Sequence, residues 1–555
     1  MGDNQERGQP PPFGQANTRR SFLGQLGMAG GAAVMYESMQ ALGLFRSVSQ
    51  ARADDGLGEP VIGKTSEVLV LGGGIAGLTA AYELLLRGYK VTLLEARKRP
   101  GGRNWTARYG TTETEIGGVA ETNYFARGQY MNCGPARLPQ GHITIDYCRK
   151  FGVDLQVFTN QNADGYYFNE NTATTNYGPL ASTKIRHRTA KADYYGYVSE
   201  LLAKVVDQGA LDAELTAADQ ERLIQFLRSF GSLTSANEYE GSSRRGYSTV
   251  PGAGNQPGVP LGPPPSVSDV LASRVGLNFS FEFGWDQAML MFQPIGGMDQ
   301  IAYAFEREVR KLGGKIIYGA EVTEINNTAS GVTVAATLDG KWEWSFKAPH
   351  AICCIPPQVL LQVTNNFAPT VLDALAEPIP QDVGKVGLQY KRRFWEEDDR
   401  ILGGITNSNL NTGTIWYPAF GYLGQKGTVI GSYNFGPNAA FYASLSYAER
   451  IKEAVKQGSK IHGAAYADEL EHGWSVAWRK TRYTEGGWVE WESRDAGYQT
   501  LQAPEGNVYF AGDHISYEIA WQAGAIYSAR LAVKNLTDKV NKMALVETVR
   551  DWETV

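Results

Sequence analysis

VLVLGGGIAGLTAAYELLLRGYKVTLLEARKRPGGR, running from Val68 to Arg103, decides the fold of this chain, because it reads as one complete βαβ unit shaped to hold a dinucleotide. Val68 to Leu71 makes a buried strand, Leu78 to Arg87 has helical patterning that stops at Gly88, and Val91 to Leu94 makes the next strand. Between strand and helix, Gly72, Gly74 and Gly77 spell GxGxxG. The first allows the tight turn, the second lets backbone approach a pyrophosphate, and the third lets helix and strand pack closely. The helix N-terminus then meets the negative phosphates. Glu95 follows about 20 residues on, where a carboxylate accepts hydrogen bonds from ribose hydroxyls. Its charge repels a 2′-phosphate, which disfavours NADP and leaves NAD or FAD. Gly101, Gly102 and Arg103, two glycines and a cation just past the acid, suit the longer of the two, so FAD is the expected cofactor.

A chain of 555 residues exceeds what one core usually supports, and two or three domains are expected. The net charge of −6, with no basic face, argues against a nucleic-acid partner, whose phosphates need neutralising. Residues 1–53 differ from the rest, with a Pro/Gly/Gln-rich start followed by Arg19-Arg20-Ser21-Phe22-Leu23 and a Gly/Ala-rich run. The paired arginines and the Ala51-Arg52-Ala53 site read as a twin-arginine export signal, which would place the mature protein in the periplasm or outside the cell. A tail or a retained pro-segment is the other reading. Glu37 interrupts the apolar run short of the ~20 residues that a membrane span needs, so no stable anchor is expected. The four cysteines, at 133, 148, 353 and 354, show neither metal spacing nor a disulfide framework, and read as buried thiols. No metal site is expected.

Gly241 to Ser268 is rich in Pro, Gly and Ser, which predicts a long surface loop without regular structure inside a helical region at 190–295. Beyond it come a helix over Gln300 to Leu312, strands at Lys315 to Tyr318, Val322 to Ile325 and Val332 to Ala336, a strand ending in Gly512-Asp513, and a helix from Gln522 to Leu536. The fold class is α/β: a discontinuous Rossmann-like FAD-binding domain (64–113, 296–380 and 484–540), a mixed-sheet substrate-binding domain (114–189 and 381–483) and the inserted helical region.

With GxGxxG, Glu95, Gly-Gly-Arg and the late Tyr509-Phe510-Ala511-Gly512-Asp513 in this order, the chain resembles the flavin amine oxidase superfamily, and further segments resemble the L-amino acid oxidases. Gly134-Pro135-Ala136-Arg137-Leu138-Pro139 is similar to the family segment whose arginine holds the substrate carboxylate. Gly384-Lys385-Val386 resembles the segment carrying the active-site lysine, Trp416-Tyr417-Pro418 the tyrosine that also contacts the carboxylate, and Ala520-Trp521 the pair beside the flavin. The resemblance thus implies Arg137, Lys385, Tyr417, Ala520 and Trp521 as catalytic. It implies cofactor contacts from Gly72, Gly74, Gly77, Glu95, Gly102, Arg103, Ala136, Arg137, Val322, Trp478, Gly512, Asp513 and Trp521. Taken without the resemblance, Lys385 in VGKVGLQY is an edge-strand lysine, Arg137 a surface arginine after a Gly-Pro turn, and Asp513 a helix N-cap.

The implied reaction is oxidative deamination of a bulky or aromatic L-amino acid by FAD and O2, in a homodimer. Three departures matter. Glu485-Gly486-Gly487 is followed by Trp488 where covalent amine oxidases carry a cysteine, so FAD is expected to be non-covalent. Ala520 replaces a glycine common in the family, and no histidine of the helical region aligns with the family's mobile active-site histidine. Trp416, Trp521, Tyr483 and Trp488 suggest an aromatic pocket, with Glu518 either a partner for a cationic substrate or solvent-facing. An amino-acid 2-monooxygenase, an amine or polyamine oxidase, and a flavin-fold binding protein without turnover are the rival readings.

Overall fold

The first strand, Glu67–Leu71, is apolar on both faces and buried beyond its first residue, because helices pack on one face of its sheet and the antiparallel strands Ala320–Thr328, Gly331–Leu338 and Trp342–Ala348 on the other. In the computed structural model, whose described residues are Leu57, 66–287 and 290–553, this strand is the middle of a five-stranded parallel sheet. The order is Lys315–Tyr318, Lys90–Glu95, Glu67–Leu71, His350–Cys353, Val508–Phe510. Segments more than 400 residues apart in the chain therefore share one sheet. The arginine pair and the Ala51-Arg52-Ala53 site lie outside the described residues.

The helix after the glycine turn, Ile75–Leu86, buries all but its last two residues. It packs between the helices Gln300–Lys311 and Gln522–Glu553, which explains why it is apolar all round rather than striped. Gly72 adopts φ +100°, and a Cβ on Gly77 would stand 1.9 Å from the Gly72 carbonyl oxygen, so the turn and the close approach each exclude a side chain. The C-terminal helix runs well past the expected end at Leu536.

A second, seven-stranded mixed sheet has the order Ile185–Arg186, Tyr166–Phe168, Gly404–Ser408, Thr414–Tyr417, Gly427–Phe435, Val383–Tyr390, Leu470–Ala477. Lys385 therefore lies on an inner strand flanked on both sides, not on an edge, and is buried. The described residues from Leu57 onward form one compact unit, so the two sheets belong to a single packed body.

The helical region holds His187–Asp207, Ala217–Gly231 and a run of 3-10 turns from Val275 to Gln287. The expectation of an unstructured loop at 241–268 is corrected. It contains a hairpin of Tyr247–Thr249 with Val259–Pro260, and Ser266 caps the helix Val267–Ala272 by accepting from the Asp269 amide. Prolines tolerated at a hairpin edge and at loop ends hide such short elements from composition. All four cysteines are free, Cys354 being partly buried and the others fully. Among the described residues no helix is long and apolar enough to cross a membrane.

Replacing Gly77 by Ala forces the new methyl onto the Gly72 carbonyl and should cost about 1–3 kcal/mol of stability, the usual range for overpacking. Chemical denaturation of the variant against wild type measures it.

Candidate active site

A cavity of about 1000 Å³ runs from the glycine turn to the seven-stranded sheet. At one end Gly72 and Gly74 present bare backbone, and a Cβ on Gly74 would meet nothing within 4 Å. Glu95, ending its strand, accepts from the Gly73 amide at 2.6 Å and the Arg97 amide at 2.7 Å, which fixes the carboxylate at the cavity wall. Gly77 stands behind the turn, off the cavity, and acts through packing alone. Val322 and Gly102 continue the wall. Arg103 donates to the Gly487 carbonyl at 2.7 Å and pairs with Asp513, whose second oxygen accepts from the Ala520 amide at 3.2 Å. That ion pair ties the end of the first βαβ unit to the late Gly512-Asp513 turn, and all four of these late residues, Gly512, Asp513, Ala520 and Trp521, border the cavity.

The other end is floored by the seven-stranded sheet, and strand register decides which side chains reach it. Lys385 pairs with Tyr433, Tyr433 with Thr414, and Thr414 with Asn407, so four strands place one row of side chains on the cavity face. The neighbouring row adds Ile405 and Trp416. Because side chains alternate along a strand, Thr406, Ile415 and Tyr417 point to the opposite face. Tyr417 is accordingly buried away from the cavity, its hydroxyl bonded to Thr406 Oγ1 at 2.8 Å and to His462 Nε2 at 2.7 Å, with His462 Nδ1 against Asp399 at 2.8 Å. The expectation that Tyr417 meets a substrate carboxylate is therefore wrong. Tyr433, which sequence reading passed over, is the tyrosine on the cavity face.

Arg137 comes from the turn just ahead of Leu138–Pro139, a short strand pinned to Met291 and Phe292. Its guanidinium carbon lies 4.6 Å from the Trp416 ring centroid, 5.7 Å from Phe281 and 5.8 Å from Trp521. One amino group donates to Gln287 Oε1 at 2.7 Å, while Nε is buried without a protein partner. No carboxylate among the described residues forms an ion pair with it. Burial pulls its pKa down to about 10, opposed by Tyr433 and Asp286, so the charge survives at neutral pH.

Lys385 Nζ donates to the Asn132 carbonyl at 3.2 Å and to the Gly134 carbonyl, and sits 4.3 Å from the Tyr433 ring centroid. Burial brings its pKa down to about 7, helped by the nearby Arg137 charge and opposed by Cys133. Trp478 donates its indole N–H to the Cys133 carbonyl at 3.1 Å and walls the cavity beside Ala136. Ala520 holds φ +68°, a left-handed conformation natural to glycine and costly for alanine, by about 1–3 kcal/mol.

A further expectation is corrected, and one left open is narrowed. Tyr483 bonds to Glu321 at 3.0 Å and stacks with Arg97, near Glu95 rather than in the aromatic end. Glu518 lies 3.6 Å from His142 and does not line the cavity. Trp488 and Trp416 do line it. Among the described histidines only His514 borders it, with its pKa lowered to about 4 by burial, whereas His187 is buried on the Tyr167 ring.

The family profile described as flavin containing amine oxidoreductase matches residues 75–537. The chain belongs to that family. Relatives include the L-amino-acid oxidase of Echis ocellatus, 26% identical over 489 residues that cover 85% of this chain and 88% of that protein. The L-amino-acid oxidase of Bothrops pauloensis is 26% identical over 485 residues, covering 84% and 88%. Among solved structures, cyclohexylamine oxidase from Brevibacterium oxydans is similar in fold, with a TM-score of 0.55 at 19% identity over 86% of this chain and 100% of that one.

The family's cofactor, FAD, fits the cavity on this structure's own evidence. The bare Gly72-Gly74 backbone, the fixed Glu95 carboxylate and the long shape leading to an aromatic, cation-bearing end match a pyrophosphate, a ribose and a flavin in turn. Gly72, Gly74, Glu95, Gly102, Arg103, Val322, Trp478, Gly512 and Asp513 line the cavity and would hold it.

Two measurements check this geometry. Tyr417→Phe removes two buried hydrogen bonds and should cost about 1–3 kcal/mol of stability while leaving the substrate KM unchanged. A raised KM would return Tyr417 to the cavity. For Lys385, the folded pKa of about 7 lies below the roughly 10.4 of an unfolded lysine, so the unfolded chain binds a proton that the fold refuses. The residue therefore costs stability below pH ~10.4, increasingly so down to about pH 7 and evenly below that. Lys385→Met should stabilise the protein by an amount that grows from pH 10 to pH 7, as read by denaturation at a series of pH values.

Proposed function

We propose that this protein is an FAD-dependent L-amino-acid oxidase that converts an amino acid, water and O2 into a 2-oxo acid, ammonia and hydrogen peroxide. The observation that carries the reading is Arg137, a cation held in an aromatic cavity wall with one neutral hydrogen-bond acceptor and, among the described residues, no carboxylate in ion-pair contact. An unpaired charge in such surroundings is costly, and a ligand carboxylate meeting the planar guanidinium with two bonds removes that cost. An amine without a carboxylate leaves the charge as it was, which is why an amino acid fits better than a simple amine. The names of the relatives from Echis ocellatus and Bothrops pauloensis support the same choice.

Bound FAD supplies the two-electron acceptor, which O2 reoxidises. The chain supplies orientation. Arg137 and the Tyr433 hydroxyl beside it fix the carboxylate, and the Trp521 and Trp416 walls exclude water and flank the substrate. Lys385 Nζ, with its pKa near neutrality, is the cavity group suited to holding a water or handing on a proton at neutral pH. Trp416, Phe281, Tyr433 and Trp521 favour bulky or aromatic side chains. Non-covalent FAD, a homodimer and export by the twin-arginine-like start complete the reading; Trp488 in the place of a cysteine supports the first, and Arg19-Arg20 the last.

Arg137→Ala should lower kcat/KM for amino acids at least about a hundredfold, since each charge-assisted bond is worth about 1.5–3 kcal/mol. A peroxide assay over the twenty L-amino acids, with CO2 measured alongside, tests the function itself. Peroxide without CO2 supports the oxidase, CO2 with amide indicates a monooxygenase, and tyramine preferred to tyrosine would overturn the amino-acid reading.

A further inference from the structure

The 3-10 turn Trp285–Gln287 uses three consecutive side chains to grip three separate parts of the site. Trp285 stacks on the buried His142 ring, with centroids 5.5 Å apart and planes inclined at 30°. Asp286 Oδ2 accepts the Trp521 indole N–H at 2.9 Å. Gln287 Oε1 accepts from the Arg137 guanidinium at 2.7 Å, and its side chain lines the cavity. The same turn also holds Gln287 internally, its amide bonded to the Gly284 carbonyl at 2.9 Å. The residues just ahead of it, Phe281 and Leu277, line the cavity while also being exposed.

We propose that Gln287 is a placeholder for the substrate carboxylate, and that a ligand enters by taking its position on Arg137. The inference rests on the reading of Arg137 given above. A neutral amide oxygen is the weaker acceptor for a guanidinium, so it satisfies one donor of the free protein without making a permanent ion pair. A carboxylate, the charged acceptor, outcompetes it for the guanidinium. Displacement releases Gln287 Oε1, whose amide Nε2 also donates to Asp286 Oδ2 at 3.5 Å, while Asp286 and Trp285 keep the turn anchored, so Trp521 stays in place as the ligand exchanges. Gln287 is thus a positioning residue that tunes how readily Arg137 is available.

Calorimetric titration of the FAD-loaded protein with benzoate, an aromatic monocarboxylate that is not oxidised, tests this directly. Gln287→Leu removes the competitor and should tighten benzoate binding by at least about threefold. Gln287→Glu installs an isosteric anion on Arg137 and should weaken it by at least about tenfold, equivalent to about 1.4 kcal/mol. Opposite shifts from the two variants support the placeholder. Weakening in both, as a purely structural role would give, overturns it, as does an unchanged Kd in either. Absence of benzoate binding by wild type would instead overturn the carboxylate role of Arg137, a different failure from that of Gln287. Thermal unfolding of both variants confirms that each remains folded.

Discussion

Everything in this molecule hangs on the parallel pairing of Glu67–Leu71 with Lys90–Glu95 on one side and His350–Cys353 on the other. The first pairing is local and comes with its own glycine turn. The second brings in chain from nearly 300 residues away, and with it Val508–Phe510 beyond. Parallel strands need crossovers, and this chain uses its crossovers as a second structural layer. The long excursions between strands of the parallel sheet carry all seven strands of the second sheet, its Arg137-bearing neighbour and the helical region. The cavity exists because the glycine turn and the row Lys385, Tyr433, Thr414, Asn407 are brought to face one space.

Electrostatics then separates the two ends. Near the glycine turn, charges are paired: Arg103 with Asp513, and Arg482 with Glu321. At the aromatic end, the hydrogen-bond partners of the buried Arg137 and Lys385 are neutral acceptors, and desolvation pulls down the pKa of each, that of Lys385 to about 7. The full charge of Arg137 and the partial charge of Lys385, neither in an ion pair among the described residues, would favour an anionic ligand in this aromatic compartment. The Asp399–His462–Tyr417 chain on the far face of the same sheet shows the contrast, since its polar groups satisfy one another and leave nothing for a ligand.

How much of this was readable from sequence follows from the range of the interactions involved. The GxGxxG turn, Glu95 and their flanking strand and helix are set by neighbours within about 30 residues, and they fell where the patterning put them. Arg137 and Lys385 were found through resemblance, because nothing local distinguishes a cavity arginine from a surface one. Tyr417 failed for a specific reason: in Trp416-Tyr417 the two rings face opposite ways, and only the register with Tyr433, shifted by irregularities at Val386/Gly387 and Thr414/Trp416, says which is inside. The grip of Trp285–Gln287 was invisible, since a 3-10 turn has no periodicity to betray it and all three of its partners are remote in sequence.

The cysteines carry a last consequence. A thiol reacts with peroxide as its thiolate, and burial pushes Cys133, Cys148 and Cys353 each up to about 12 and Cys354 well above the usual thiol range. At neutral pH only about one such group in 10⁵ is ionised. Cys133 and Cys354 even border the cavity in which the proposed reaction would generate the oxidant. Their desolvation would protect these thiols from the peroxide of the proposed reaction, so cysteine oxidation should follow unfolding rather than cause it.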